Sequence, residues 1–310
     1  ILERAAIALT EAIIVRWNSE NRFIVFAGPG NNGGDGLAVA RLLAEKGCAV
    51  EVYLVNPEQR LSPDCQINFK RLQQYPSVVI TEVINQFVKP ELSDDSVIID
   101  ALFGVGINKP LIGGYAALVK FINNANATVV SIDMPSGLMC EDNTQNYPAH
   151  IIQANLTLTI HSFKLSQLLV ENQPYIGELK LIDIGLDTDA ESEVNCDKEF
   201  LSAAKVSSLL LPRPAFAHKG TFGHALLVAG KYGMAGAAVL ASKACFNVGV
   251  GKLTVHTAKK NNNILQISVP EAIVSLDENE TEVSKPLRSD AFSAIGIGPG
   301  LGTSSVTALA

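Results

Sequence analysis

Phe23 to Gly47 reads FIVFAGPGNNGGDGLAVARLLAEKG. Phe23–Ala27 is a short apolar run fit for a buried strand, Gly28–Gly36 supplies five glycines in nine residues, and Leu37–Lys46 has the apolar spacing of a helix stopped by Gly47. Ala49–Val55 follows as a second strand, and its Val50, Val52 and Val55 give it the β-branched bias of a buried parallel strand. Strand, glycine-rich turn, helix, strand is a β-α-β unit. Such a turn lets a ligand approach the backbone, because glycine tolerates positive φ and has no side chain, while the following helix offers unpaired N–H groups to an anion.

Working outward, Leu2, Ala5, Ala6, Leu9, Ile13 and Ile14 recur at helical spacing and predict an amphipathic helix packed on the sheet. Downstream, Ser77–Ile80, Ser96–Ile99, Thr128–Ile132, Asn155–Ile160 and Lys180–Asp183 read as strands, with Asn155–Ile160 at or near an edge. Asp100 stands where VIID runs out, before the loop ALFGVGINKPLIGG, and Asp133, Pro135, Ser136 and Gly137 follow the Thr128 strand. Ligands of open parallel sheets collect outside the carboxyl ends of strands, so these loops should face the same crevice as Gly28–Asp35.

The polar, acidic stretch Gly185–Phe200 marks a domain boundary, and Leu209–Lys219, with its paired prolines, reads as a connector. His218, Lys219 and His224 belong to that connection. Ala225–Ala229, Gly230–Gly236, Ala237–Val248 and Lys252–Thr257 repeat the strand, turn, helix, strand order without repeating the residues. Ile267–Pro270 and Ala272–Ser275 read as strand-like pieces, Leu276–Asp290 as a charged exposed segment, and Ala294–Gly302 as a strand feeding a third glycine-rich turn. The expectation is an α/β chain: residues 1–205 form a Rossmann-like three-layer domain on a parallel sheet, and residues 206–310 begin a second α/β domain. The missing initiator Met and the helix start at Ser304 read as a piece trimmed at both ends.

The 310 residues are 47% hydrophobic and carry a formal charge of −7. With no Lys/Arg-rich run, a nucleic-acid partner is excluded as an expectation. No stretch reaches the roughly 18 apolar residues that span a bilayer, so no membrane role is expected. Five scattered cysteines without a CxxC read as reduced thiols in the cytoplasm, with no metal role.

GPGNNG contains GxGxxG in the strand-to-helix setting of a dinucleotide site. An ordinary NAD site, however, places an acid at the end of the next strand, and that strand ends at Asn56 and Pro57. Asn31, Asn32 and Asp35 also bring oxygens where a pyrophosphate wants N–H donors. A purely structural corner, with Asn31 and Asn32 at positive φ and Asp35 capping the helix, is the alternative. Asn32, Asp100 and Ser136, rising from neighbouring strand ends, would suit a hard cation. Asp133 is either the first residue of a proline-stiffened turn or an acid aimed at a ligand. His150 and His161 lack ligand spacing and read as core or surface residues; Ser136 lies outside GxSxG.

GPGNNGGDG, VIIDALFG with GVGINKPLIG, and SIDMPSG closely resemble the NAD(P)H-hydrate epimerases. The AHKG connector, the GHALLVAGKYGMAGAAVLASKACFNVGVGKLTVHT run and IGIGPGLG resemble the start of the ADP-dependent NAD(P)H-hydrate dehydratase domain, whose fold is ribokinase-like. Together they resemble bifunctional nicotinamide-nucleotide repair enzymes. The resemblance implies a small-molecule substrate, NADH or NADPH hydrated at C6 of the nicotinamide, and two activities: isomerisation of its R and S epimers, and dehydration of the S form. It implies K+, with ADP (or ATP) and Mg2+ for dehydration, and a cytoplasmic homo-oligomer. By motif, Asn31, Asn32, Gly33, Gly34 and Asp35 would line the hydrate site. Asn32, Asp100 and Ser136 would bind potassium, and Gly104, Val105, Gly106, Ile107, Asn108, Lys109 and Pro110 would cradle the phosphates. Asp133 would contact the hydrated ring or its ribose, while Ala237 and Gly300 would touch the hydrate in the second domain; epimerisation needs one positioned carboxylic acid to assist loss of the ring hydroxyl, and Asp133 is the candidate. Lys231 and Ala235 depart from the Ser and Pro common in relatives, and the dehydratases' glycine-aspartate motif is not among the 310 residues. A binding or scaffold module of the epimerase fold and a small-molecule kinase are the alternatives.

Overall fold

The computed structural model describes residues 1–93, 95–186, 198–210, 212–285 and 290–310. The chain divides into two compact units, Ile1–Asn195 and Cys196–Ala310. Residues 187–197, on which most of the expected boundary segment falls, lie outside the described residues.

The first unit holds seven parallel strands: β1 (Arg22–Ala27), β2 (Ala49–Val55), β3 (Val79–Val83), β4 (Ser96–Ala101), β5 (Thr128–Ile132), β6 (Leu156–Ile160) and β7 (Glu178–Ile182). Their order is β3-β2-β1-β4-β5-β6-β7, so the chain leaves β1 in one direction and returns at β4 to build the other half. Val25 sits opposite Val52 on β2 and Ile99 on β4. Strand residues alternate between faces. Phe23, Val25 and Ala27 join the core with residues of α1 (Leu2–Ile14), α2 (Asn31–Glu45) and α3 (Pro63–Leu72), whereas Ile24 and Phe26 pack with α4 (Gly113–Asn123) on the other face. Both faces are covered, which is why these strands read as continuous apolar runs. Each fully buried Phe or Ile adds roughly 1.5–3 kcal/mol of hydrophobic stabilisation.

The largest departure from expectation is the start of α2. The glycine-rich turn does not run to Gly36: the helix begins at Asn31 and takes Gly33, Gly34 and Gly36 into its first two turns. Space explains it. A Cβ on Gly33 would lie 1.8 Å from the Gly28 carbonyl oxygen, one on Gly36 would lie 2.4 Å from Ala101 Cβ, and one on Gly34 would press on Cys65 at 3.2 Å. None of the five glycines from Gly28 to Gly36, nor either asparagine, has positive φ. The third strand is also shifted, because Val78 N donates to Tyr75 O (3.0 Å) and keeps the chain in a turn until Val79.

The second unit contains a parallel four-stranded sheet ordered β10-β9-β8-β11, from β8 (His224–Val228), β9 (Lys252–Thr257), β10 (Ile273–Leu276) and β11 (Ala294–Ile297). Its main helix spans Ala235–Asn247. The strand expected at Ile267–Pro270 is instead the end of the helix Asn262–Ser268, which buries Leu265 against Leu253 and Val255. Leu276–Asp290 is not uniformly exposed: Asp277 and Val283 are each 3% accessible. Burial works against the charge of Asp277. The Ser284 hydroxyl (2.6 Å) and N–H (2.8 Å), the Asn279 N–H (2.8 Å) and His256 Nε2 (3.2 Å) nevertheless hold its pKa well below the usual carboxylate range.

Candidate functional site

The strand order reverses between β1 and β4, so their carboxyl ends frame the crevice where open parallel sheets bind ligands. Gly28 and Leu102 leave these ends in contact. Gly28 N donates to Ala101 O (3.0 Å), and a Cβ on Gly28 would lie 1.9 Å from the Leu102 carbonyl oxygen. Over the gap stands the N-terminus of α2, whose cap residue, Gly30, offers no side-chain hydrogen bond. Its first N–H groups are therefore open to an anion. Gly33 and Gly34 are buried, Asn31 is exposed, and Asn32 and Asp35 are half-buried.

Asn32 leans on the loop after β4: a Cβ on Gly104 would lie 3.2 Å from Asn32 Cγ and Oδ1. Its amide Nδ2 is buried without a hydrogen-bond partner. Nearby Asp100 is fully buried and, among the described residues, has no basic partner. Ser136 gives it a hydroxyl bond (2.6 Å) and an N–H bond (2.8 Å), and the Ser131 hydroxyl adds a third (2.8 Å). Burial pushes the Asp100 pKa up, and these donors oppose it. The Ser136 hydroxyl also accepts from Phe103 N (2.9 Å), tying the β4 loop to the β5 loop. Asn32, Asp100 and Ser136 are thus oxygen-bearing residues with a single negative charge and no counter-ion. That donor set fits a weakly hydrated monovalent cation.

Asp133 ends β5 at φ 65°, a left-handed conformation costing roughly 1–2 kcal/mol that Asp adopts more readily than most residues. The conformation is held from three sides. Asp133 N donates to Leu158 O (2.8 Å), its carbonyl accepts from Gln167 Nε2 (2.7 Å), and its carboxylate accepts from Ile160 N (3.1 Å). Its partner is the Lys164 ammonium, which also donates to Thr159 Oγ1 (2.9 Å) and Ile160 O (3.0 Å). Asp35, on α2, lies near enough to Asp133 to feel its charge. Burial first, then the negative charges of Asp133 and Asp64, push its pKa up to about 7. The crevice therefore holds one carboxylate paired to an ammonium and one carboxyl poised near neutrality.

Helix capping does not explain Asp35, which lies at the fifth position of α2. Nor do Asn31 and Asn32 serve a left-handed turn. The loop from Gly104 to Pro110 leads to the α4 N-terminus, where Ile112 gives no side-chain cap. Val105, Gly106, Asn108 and Lys109 are exposed there, with Ile107 and Pro110 half-buried. His150 serves structure, its Nδ1 lying 2.8 Å from Leu111 O. Sequence reasoning missed Lys164, Ser131 and Gln167. The signal for Lys164 was available: it lies just past the carboxyl end of β6, the position that drew attention to Asp100 and Asp133.

In the second unit the turns at Gly230–Gly236 and Gly298–Gly302 meet beyond β8 and β11. Lys231 N donates to Gly300 O (2.7 Å), Gly230 N donates to Pro299 O (3.0 Å), and a Cβ on Gly300 would lie 3.0 Å from Ala237 Cβ. Ala237 and Gly300 are thus brought together.

The family described as YjeF-related protein N-terminus matches residues 1–166, and the one described as NAD(P)H-hydrate dehydratase matches residues 225–310. A bifunctional NAD(P)H-hydrate repair enzyme from Coxiella burnetii is 34% identical over 303 residues, 97% of this chain and 60% of that protein. Its counterpart from Moorella thermoacetica is 30% identical over 321 residues, 99% of this chain and 60% of that protein. The chain therefore spans 60% of the length of these two relatives. An NAD(P)H-hydrate epimerase from Oenococcus oeni is 34% identical over 187 residues, 60% of this chain and 85% of that protein.

Proposed function

Since this chain belongs to the YjeF-related N-terminal family, we propose that its first unit binds a hydrated nicotinamide dinucleotide and interconverts the R and S epimers at C6. The observation that carries this reading is the Asp133–Lys164 ion pair just past β5, with Asp35, whose carboxyl senses the charge of Asp133, on the first turns of an uncapped helix. Asn31 to Asp35 line the ring, and the α2 N–H groups together with the Gly104–Pro110 loop take the phosphates.

Epimerisation needs the C6–O bond to break and re-form on the other face. The ring nitrogen lone pair expels the hydroxyl as water once a proton reaches its oxygen, and leaves an iminium. Water then returns to the opposite face and gives the proton back. Asp133 is in contact with the ring, and Lys164, its ion-pair partner, orients the carboxylate that stabilises the positive ring. Asp35, near neutrality, supplies and recovers the proton. This divides between two residues the role expected of Asp133 alone. Potassium, held by Asn32, Asp100 and Ser136, would offset the buried charge of Asp100 where the anionic substrate approaches; replacing K+ with Li+ should lower the rate.

For a protein of the full length of those relatives, of which this chain spans 60%, the reading includes dehydration of the S epimer with ADP or ATP and Mg2+. Ala237 and Gly300 then contact the hydrate in the second unit. A cytoplasmic homo-oligomer belongs to the same reading. The test is to supply pure S epimer of hydrated NADPH and follow the R form by NMR. Interconversion supports the epimerase; binding without interconversion leaves a scaffold, and phosphorylation of a small alcohol would point to a kinase.

A further inference from the structure

On the α4 face of the first unit lies a groove of about 780 Å³, within the roughly 300–1,000 Å³ of small-molecule sites. It opens between α4 and the segment that follows β3. Val55 and Val83 reach it from the carboxyl ends of β2 and β3, the same end of the sheet as the crevice at β1 and β4. Its inner wall is aromatic: Phe87 packs at 5.4 Å and 70° on Phe121, and at 5.7 Å on Tyr53 behind it. Lys89 holds its ammonium 5.4 Å above the Phe121 ring, and Lys120 stands at the same groove. Both lysines are exposed and, among the described residues, neither is ion-paired. Asn85 and Asn124 supply exposed amides.

The groove is joined to the site already described. Phe103, whose N–H binds the Ser136 hydroxyl, stacks edge-on against Tyr115 at 4.7 Å, and Tyr115 lines the groove. A dinucleotide with its ring at Asp133 and its phosphates on the Gly104–Pro110 loop has its second half directed to α4. Past the end of β2, at Val55 and Pro57, one exposed acid follows, Glu58, whose charge adds to burial in raising the pKa of the groove's Tyr115.

Resting on the epimerase reading, we propose that this groove receives the adenosine half of the dinucleotide, with the base against Phe121 and the 2′-phosphate of the NADPH form between Lys89 and Lys120. An aromatic face, two amides and two unpaired ammonium groups fit a purine joined to a phosphate. The two ammonium groups of Lys89 and Lys120, set against the nearby carboxylate of Glu58, favour hydrated NADPH over hydrated NADH.

Ala117 is exposed on α4 and lines the groove, so Ala117→Trp fills it without touching the crevice or the core. The experiment titrates the 310-residue chain and this variant with adenosine 2′,5′-bisphosphate by calorimetry, and measures epimerisation of hydrated NADPH, hydrated NADH and the hydrated reduced mononucleotide. Ala117→Trp should weaken the bisphosphate at least tenfold and raise KM for both dinucleotides about fivefold or more, with kcat and the mononucleotide unchanged. Lys89→Ala with Lys120→Ala should weaken the bisphosphate and erase the NADPH preference, leaving NADH hydrate unaffected. Equal bisphosphate affinity in the wild type and both variants overturns the proposal, and so do unchanged dinucleotide KM values. If the wild type interconverts nothing, the epimerase reading falls, and the titration still decides whether the groove binds the adenosine end.

Discussion

The glycine-rich turns of the two units look alike in sequence and use glycine for different main reasons. At Gly28–Gly36 no glycine has positive φ; Gly28, Gly33 and Gly36 are small because backbone and neighbouring chain come too close for a Cβ, while Gly30 has open space around it. At Gly230, Gly233 and Gly300 every φ is positive, 76°, 87° and 75°, and Gly233 has open space around it. The first turn is a packing device that lets α2 press its N-terminus over the β1–β4 gap; the second is a conformational one. Glycine content alone thus marks a backbone held close to something, without saying whether space or torsion is the constraint.

Substitution separates the two cases. Gly33→Ala, whose Cβ would sit 1.8 Å from a carbonyl oxygen, should cost upwards of about 4 kcal/mol or prevent folding of the first unit, read by urea denaturation. Gly233→Ala should cost only about 1–2 kcal/mol, the torsional penalty by itself. Equal losses would erase the distinction.

The first turn is also distinguished by the acids it serves. Lys164→Met leaves Asp133 without its ammonium, and epimerisation should fall about 100-fold with little change in KM. Because Asp35 carries the proton with a pKa near 7, kcat/KM should fall about tenfold for each pH unit above about 7, and Asp35→Asn should abolish that dependence along with most of the rate.

The smallest effect is on stability. Asp35 binds its proton more tightly folded, at about 7, than unfolded, near 3.8, so stability is lost as pH rises from about 4 to 7. Asp35→Asn should therefore stabilise the unit at pH 8 by about 1–2 kcal/mol, allowing for solvent screening of a half-buried group, and change little at pH 4. Thermal melts at the two pH values check the sign.

Much of the fold was legible because parallel strands buried on both faces are continuous apolar runs, and because strand-end loops of an open sheet converge. Asp100 and Ser136, assigned to one site on that rule, meet at 2.6 Å. The start of α2 was not legible: Gly33, Gly34 and Gly36 lower intrinsic helix propensity, and only their tertiary contacts show why the helix extends through them. The pairing of Asp133 with Lys164 was hidden for a related reason, since the two are 31 residues apart and meet only through the adjacency of β5 and β6. Asp277, placed in an exposed charged stretch, is buried where that stretch folds back through Ser284 and meets His256 of β9, a contact that local polarity does not encode.

The central claim is that the Asp35, Asp133 and Lys164 crevice moves the ring hydroxyl. Two-dimensional exchange NMR of hydrated NADPH with the 310-residue chain tests it most directly. Exchange cross-peaks between the R and S signals should appear with the wild-type chain and fall at least 100-fold with Asp133→Ala, while substrate binding persists; exchange at the wild-type rate in Asp133→Ala would contradict the account.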